Sequence, residues 1–183
     1  MKNRGKDVIM KNNTKTGPRV VKIPEGDDRE RLTCPDCGFI DYQNPRIVVG
    51  AVCTWQDQFL LCRRAIEPAY GKWTFPAGFM ELNESVIQAC AREAHEEAGI
   101  RIKVQDLIGM YEVPRVGHVM MMYRAEMLTP EFKAGIESLE VKMFRWEEIP
   151  WDDLAFPSVD WTLRRFHEVM NDTHPVAKTF VAQ

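Results

Sequence analysis

The sequence predicts an α/β layered fold, one mixed β-sheet packed with helices, preceded by a short appendage. Three observations predict it. Apolar, strand-like stretches recur at 47–55, 59–64, 101–113, 118–127 and 140–146. Two helical patterns lie among them, at 84–98 and 159–170. A turn-rich, charged segment with Pro24, Gly26, Asp27, Asp28, Pro35, Gly38, Asn44 and Pro45 precedes them all. Strands and helices mixed in this order pack as layers around one sheet.

Residues 1–23 are expected to form a flexible leader, polar at the start and carrying Lys2, Arg4, Lys6, Lys11 and Lys15. Residues 24–45 form the appendage, residues 46–172 the main domain, and residues 173–183 a C-terminal tail. Within the main domain, 47–55 (IVVGAVCTW) reads as a buried strand. Gln56, Asp57 and Gln58 turn the chain, and Phe59–Arg64 return it. A loop with Pro68, Gly71, Pro76 and Gly78 follows. The spacing then predicts a helix over 84–98, with Asn83 as its N-cap and Gly99 as its C-terminal stop. Leu163, Phe166, Val169 and Met170 fall at helical spacing and predict the last helix.

Length and composition bound the function. The chain of 183 residues suits one ordinary domain plus a small piece. Hydrophobic residues at 45% and charged residues at 28% support a folded core. A net charge of −3, from 24 basic and 27 acidic residues, is too mild to steer the chain to nucleic acid or to a membrane surface. No apolar run reaches the length of about 18 residues that a transmembrane helix requires. The N-terminus lacks the apolar stretch of a secretory signal. The five cysteines are an odd number spread through core-like segments, which suits a reducing cytoplasm rather than a disulfide framework.

The predicted helix 84–98 carries the chemistry. At about 100° per residue, Ile87, Cys90, Ala91, Ala94 and Ala98 make an apolar stripe, mostly of small side chains. Glu93, Glu96 and Glu97 fall on an adjoining arc. Unneutralised carboxylates at those spacings cost roughly 0.2–0.5 kcal/mol per pair. A solvated face partly offset by Arg92 is the plain explanation. Three carboxylates beside a small-residue stripe also make a hard-oxygen site for Mg²⁺ or Mn²⁺ that is completed by water and phosphate.

The whole stretch runs Gly78, five residues, Glu84, seven residues, then Arg92-Glu93-Ala94-His95-Glu96-Glu97-Ala98-Gly99-Ile100. It resembles the signature box of the Nudix hydrolases, matching at every charged and glycine position, with Ala94 in an aliphatic place. The resemblance extends over residues 45–155. It implies a Nudix fold, a mixed sheet sandwiched between helices (α/β/α). It also implies a divalent cation held against a diphosphate, with Mg²⁺ or Mn²⁺ as the cofactor. By position in the box, Glu93 and Glu97 would be the main metal ligands, and Glu96 a third ligand or water organiser. Arg92 would orient the glutamates, Glu84 would support the helix, Gly78 would permit a tight turn, and Ala77 could lend its carbonyl. A general base would come from outside the box, with Glu137 and Glu140 as candidates. His95 and His118 are expected to be bystanders.

Cys34-Pro-Asp-Cys37-Gly is similar to half of a zinc ribbon. A structural zinc takes four ligands, and residues 1–33 hold no cysteine or histidine. Some Nudix hydrolases carry a complete ribbon here; this chain lacks the first pair, so zinc is not expected. Cys53, Cys62 and Cys90 read as core residues.

The flanking segments resemble pyrophosphatases of ADP-ribose and FAD, with a small nucleotide as partner. The stretch that NADH pyrophosphatases carry after the box is absent, apart from the fragment Ala155-Phe156-Pro157-Ser158. Pro114 sits at the offset of a proline found in ADP-ribose hydrolases. Other Nudix activities and a non-catalytic nucleotide sensor remain as alternatives, the sensor disfavoured because every box glutamate is present. Arg63, Arg64 and Lys72 are candidate phosphate contacts. Phe79, Trp73, Tyr111 and Tyr123 could stack on a base. The apolar run Met120-Met121-Met122-Tyr123 suits either a core or a homodimer interface.

Overall fold

The computed structural model describes residues 16–172 and 176–181. The chain divides between Asn44 and Pro45 into two compact units. The smaller holds an antiparallel sheet of β1 (Val20–Lys22), β2 (Arg31–Thr33) and β3 (Ile40–Asp41), in the order β1-β2-β3. Val20–Lys22, expected in a leader, thus form a paired strand: Val21 lies opposite Leu32. The Thr33 hydroxyl adds a bond to the Val20 carbonyl at 2.9 Å. The expected leader residues 1–15 lie outside the described residues.

The larger unit is built on β4 (Arg46–Trp55). Successive side chains of a strand point to opposite faces. Val48 and Val52 enter one apolar core, and Val49, Ala51 and Cys53 enter another. A strand buried on both faces belongs at the centre of a sheet. Around it come β5 (Gln58–Arg64), β6 (Trp73–Thr74), β7 (Ala77–Phe79), β8 (Ile102–Val113), β9 (His118–Met127), β10 (Ser138–Phe144) and β11 (Lys178–Val181). The main order is β10-β5-β4-β9-β8-β11, with β6 beside β5 and β7 beside β4. β4 and β9 run parallel, as do β8 and β11, and the other pairs are antiparallel, so the sheet is mixed as expected.

Two helices cover the two faces. α1 (Val86–Ala98) packs Ala89, Cys90, Ala94 and Ala98 onto Val49, Ala51, Cys53, Leu60 and Cys62. α2 (Pro157–Val169) packs Val159, Leu163, Phe166 and Val169 onto Val48, Val52, Phe59 and Leu61. This is the expected α/β/α layering. No helix of the described residues is long and apolar enough to cross a membrane.

Several local expectations are corrected. The long loop after β5 contains β6 and β7, which pair briefly with the central strands. Part of the expected tail is β11, with Phe180 stacked on Tyr111 at 4.8 Å. The N-cap of α1 is Ser85, not Asn83. Ser85 accepts the Gln88 N–H at 3.3 Å while its own N–H donates to the Gln88 side chain at 2.8 Å. This reciprocal pair satisfies two otherwise orphaned donors. Asn83 instead takes a left-handed turn, at φ 68°. Gly99 ends the helix in the left-handed conformation, as expected, its N–H bonding back to the carbonyls of Ala94 and His95.

Candidate active site

The roll of α1 about its axis decides what its glutamates meet. The buried face is Ala89, Cys90, Glu93, Ala94, Glu97 and Ala98, while Ile87 is exposed. The expected stripe is therefore rotated, and Glu93 and Glu97 lie within the buried face. Glu96 and His95 point to solvent. The buried face packs on β4 and β5 and also meets β7, which lies on β4. Gly78 is the point of closest approach: a methyl group there would overlap the Glu93 carboxylate. A side chain at 78 would displace the Glu93 carboxylate, which Arg92 holds in that space.

Arg92 organises the rest. It grips Glu84 through two bonds, Nε at 3.0 Å and Nη2 at 2.7 Å, and caps the Phe79 carbonyl at 3.0 Å. Its Nη1 reaches Glu93 at 2.7 Å and Glu96 at 3.0 Å. Glu84 also accepts the Glu81 N–H at 2.6 Å. One guanidinium thus ties the start of the helix, its middle and the β7 loop together, and the Arg92–Glu84 pair holds the Glu84 carboxyl below its usual range.

Glu97 has no such partner. It is 6% exposed, and among the described residues its Oε2 has no hydrogen-bond partner. Burial, then repulsion from Glu93, pushes its pKa up to about 8, which the Ala77 N–H and the Arg64 charge offset only in part. Burial raises the Glu93 pKa as well, against the pull of Arg92. Among the described residues, no three His, Cys, Asp or Glu side chains gather into a ready-made metal cage. Two buried carboxylates, one with a free oxygen, facing a backbone loop make the kind of partial donor set a hard divalent cation completes with water and phosphate. The residues fit such an ion.

The loop before β10 closes the site from the other side. The Gly135 N–H bonds the Glu97 carbonyl at 3.0 Å, and the Lys133 N–H bonds the Ala98 carbonyl at 2.9 Å. Both satisfy carbonyls that a helix end leaves open. The Glu137 carbonyl accepts the Ala65 N–H at 2.8 Å. The Glu137 charge is felt at both Glu93 and Glu97. Glu140 instead lies across from Arg63 on β5, 4.0 Å from its Nη1.

The candidate phosphate contacts are partly engaged. Arg63 bonds the Gly71 carbonyl at 2.8 Å, and Arg64 bonds the Pro68 carbonyl at 2.9 Å and lies over Phe156. Lys72 pairs with Asp153 at 2.6 Å. Of the candidate stacking rings, Trp73 and Tyr111 are buried and Tyr123 packs against the α1-side core. Phe79 is exposed next to Gly78, flanked by the His118 ring at 5.2 Å and the Arg46 guanidinium at 5.4 Å. Sequence reasoning missed this trio, because β4, β7 and β9 meet only in the sheet. It placed Glu137 on the loop before β10 but missed the contact of Gly135 and Lys133 with the end of α1. The Ser85 cap was legible in Ser85-Val86-Ile87-Gln88, a serine three places before a glutamine.

Comparison with known proteins gives the family. Residues 44–168 match the NUDIX domain family, and residues 16–43 match the Nudix N-terminal family, a zinc ribbon. The chain is 33% identical over 119 residues to an ADP-ribose pyrophosphatase of Methanocaldococcus jannaschii, covering 63% of this chain and 69% of that protein. It is 30% identical over 132 residues to the NAD-capped RNA hydrolase NudC of Pseudomonas aeruginosa, covering 69% of this chain and 46% of NudC. The crystal structure of a NUDIX hydrolase from Nitrosomonas europaea superposes with a TM-score of 0.84 at 44% identity, covering 89% of this chain and 93% of that one. With its fold, its box and its family match in agreement, the chain belongs to the Nudix hydrolases.

Proposed function

We propose that this Nudix hydrolase cleaves the diphosphate of ADP-ribose or FAD and releases AMP, with Mg²⁺ or Mn²⁺ as cofactor. The observation that carries the metal chemistry is the buried Glu93–Glu97 pair facing Ala77 and Gly78, with one Glu97 oxygen unpartnered among the described residues. Glu93, Glu97 and the Ala77 carbonyl would hold the cation, and Glu96 would add a ligand or order a water. A cation bound there would supply polarisation of the phosphoryl oxygens and a lower pKa for the attacking water. Arg92 keeps the carboxylates aimed, since its five bonds span the helix and the β7 loop.

Glu137 is the better candidate for the general base. Its charge reaches both buried glutamates, whereas Glu140 is drawn to Arg63. Arg64, whose charge is felt at Glu97, is the better placed of the arginine pair to meet a phosphate. Exposed Phe79, beside the loop, offers a face for a ring of the substrate.

The choice of ADP-ribose or FAD rests on the flanking resemblance and on the M. jannaschii relative. The NudC relative favours a second substrate class, a nicotinamide dinucleotide free or as an RNA cap. The test incubates purified protein and Mg²⁺ or Mn²⁺ with ADP-ribose, FAD, NADH, NAD-capped RNA, dinucleoside polyphosphates and dNTPs, then resolves the products. AMP from ADP-ribose or FAD, faster than from the rest, is the expected result. Preference for NADH or capped RNA moves the assignment to the second class, and pyrophosphate from dNTPs overturns both. Tight binding of one compound with no turnover of any would leave only a nucleotide sensor.

A further inference from the structure

The N-terminal unit matches a zinc ribbon family, but its residues do not fit zinc. Residues 1–44 contain two cysteines, Cys34 and Cys37, and no histidine. A structural site needs four ligands. What faces the knuckle instead is a side-chain cation. Arg19 is held to the sheet by its N–H, which bonds the Thr33 carbonyl at 2.9 Å. Its guanidinium grips Asp36 inside the Cys-x-x-Cys turn, at 2.9 Å and 2.8 Å. The Cys34 sulfur lies 3.9 Å from the same Asp36 carboxylate and within the field of Arg19.

The turn itself is closed. The Gly38 N–H bonds the Cys34 carbonyl at 2.9 Å, and the Cys34 N–H bonds the Phe39 carbonyl at 2.7 Å. Gly38 takes the left-handed conformation, φ 77°, that lets the chain double back. The closed turn carries both cysteines, three residues apart. Hydrogen bonding from the Cys37 and Asp36 backbone, and then from the Cys37 thiol, holds the Cys34 thiol below its usual range, against burial and the Asp36 charge. Cys34 is buried and Cys37 exposed. A Cys-x-x-Cys pair with one thiol exposed and the other held low by backbone hydrogen bonding is where thiol–disulfide exchange concentrates.

We propose that Cys34 and Cys37 are a redox-active dithiol that closes to an intramolecular disulfide by exchange with a small disulfide such as oxidised glutathione. Exposed Cys37 attacks one glutathione sulfur and gives up its thiol proton. A mixed disulfide forms, and the first glutathione leaves and takes up a proton. Cys34, as thiolate, then attacks the Cys37 sulfur. The protein disulfide forms and the second glutathione leaves, likewise taking up a proton. Two thiols are oxidised and one glutathione disulfide is reduced to two glutathiones, so electrons and protons balance. Arg19 assists the second step by neutralising Asp36, the carboxylate whose charge opposes the Cys34 thiolate.

The other three cysteines make the test clean. Cys53, Cys62 and Cys90 are at most 1% exposed, and burial pushes their thiols up, away from reactivity. Reduced full-length protein is titrated with ratios of oxidised to reduced glutathione and read by intact mass and peptide mapping. The expected result is loss of two hydrogens, mapped to a Cys34–Cys37 link and reversed by excess reduced glutathione. Cys34→Ser should keep a glutathione on Cys37, Cys37→Ser should take up glutathione several-fold more slowly, and Arg19→Gln should slow closure several-fold. A wild-type chain that stays a dithiol in excess oxidised glutathione, or stops at the mixed disulfide, overturns the proposal. So does a reduced chain that retains one zinc per molecule through gel filtration with both thiols protected. The wild-type measurements decide the matter even where a variant fails to fold.

Discussion

A carboxylate 6% exposed and short of a partner is costly to ionise. Glu97 is such a group, and two predictions belong to it. Its pKa is raised from an ordinary 4.5 to about 8, so the folded chain holds a proton there that the unfolded chain has released. Stability of the metal-free protein should therefore be fullest below pH 4.5 as far as Glu97 contributes, and should fall as pH rises toward 8. The slope from one such proton is at most about 1.4 kcal/mol per pH unit. Urea denaturation in a chelating buffer, with wild type beside Glu97→Gln, measures it. The variant should show a flatter pH dependence, and an unchanged slope would mean that Glu97 is not the group responsible. In the assay with metal, Glu97→Gln should lower kcat by roughly 10²–10³, the scale of removing one preorganised electrostatic partner from a transition state. Circular dichroism should stay that of the wild type. An active variant would place the cation elsewhere.

At the scale of elements, α1 is held at both ends by different devices. Its start depends on the Ser85–Gln88 box and on the Arg92–Glu84 grip. Ser85→Ala should cost about 1 kcal/mol, the usual worth of an N-cap, read as a lowered urea midpoint. Its end depends on the 133–137 loop, whose N–H groups meet the carbonyls of Glu97 and Ala98. A methyl group at Gly135 would overlap the Glu96 carbonyl, which is rigid backbone. Gly135→Ala should therefore destabilise by about 1–3 kcal/mol, the range of overpacking. It should also lower kcat, because the loop that carries Glu137 must move off the helix. Wild-type stability in that variant would show that the loop yields freely. The ends of α1 were only partly legible in the sequence. Gly99 read correctly as the stop because a left-handed residue there favours glycine. Asn83 was a false cap, since it lies in the turn before Glu84 and the true cap Ser85. The roll of α1 was not legible either, because alanines lie on several sides of it and only packing on the sheet chooses between them.

At the scale of the molecule, the larger unit is a mixed sheet with a helix on each face, and its site lies where β7, α1 and the loop before β10 converge. A divalent cation bound to the folded larger unit, and not to the unfolded chain, must stabilise it by mass action. Mg²⁺ or Mn²⁺ should raise Tm in proportion to the logarithm of its concentration, and Glu93→Gln with Glu97→Gln should remove the rise. A rise that survives both changes would locate the cation outside the box. The amino-acid sequence by itself determined the layered α/β class, the central strands, the two helices and the acidic box. These follow from local periodicity and fixed spacing, which a chain carries in its own order. Only the tertiary structure decided that Glu93 and Glu97 turn inward while Glu96 stays in solvent, and that Glu140 pairs with Arg63 while the Glu137 charge reaches the buried pair. It alone brought Arg19 to the Cys34–Cys37 turn and Phe79 between Arg46 and His118. Each depends on side chains far apart in the chain meeting across strands, and on burial, which sets the charge state of a carboxylate and has no sequence period.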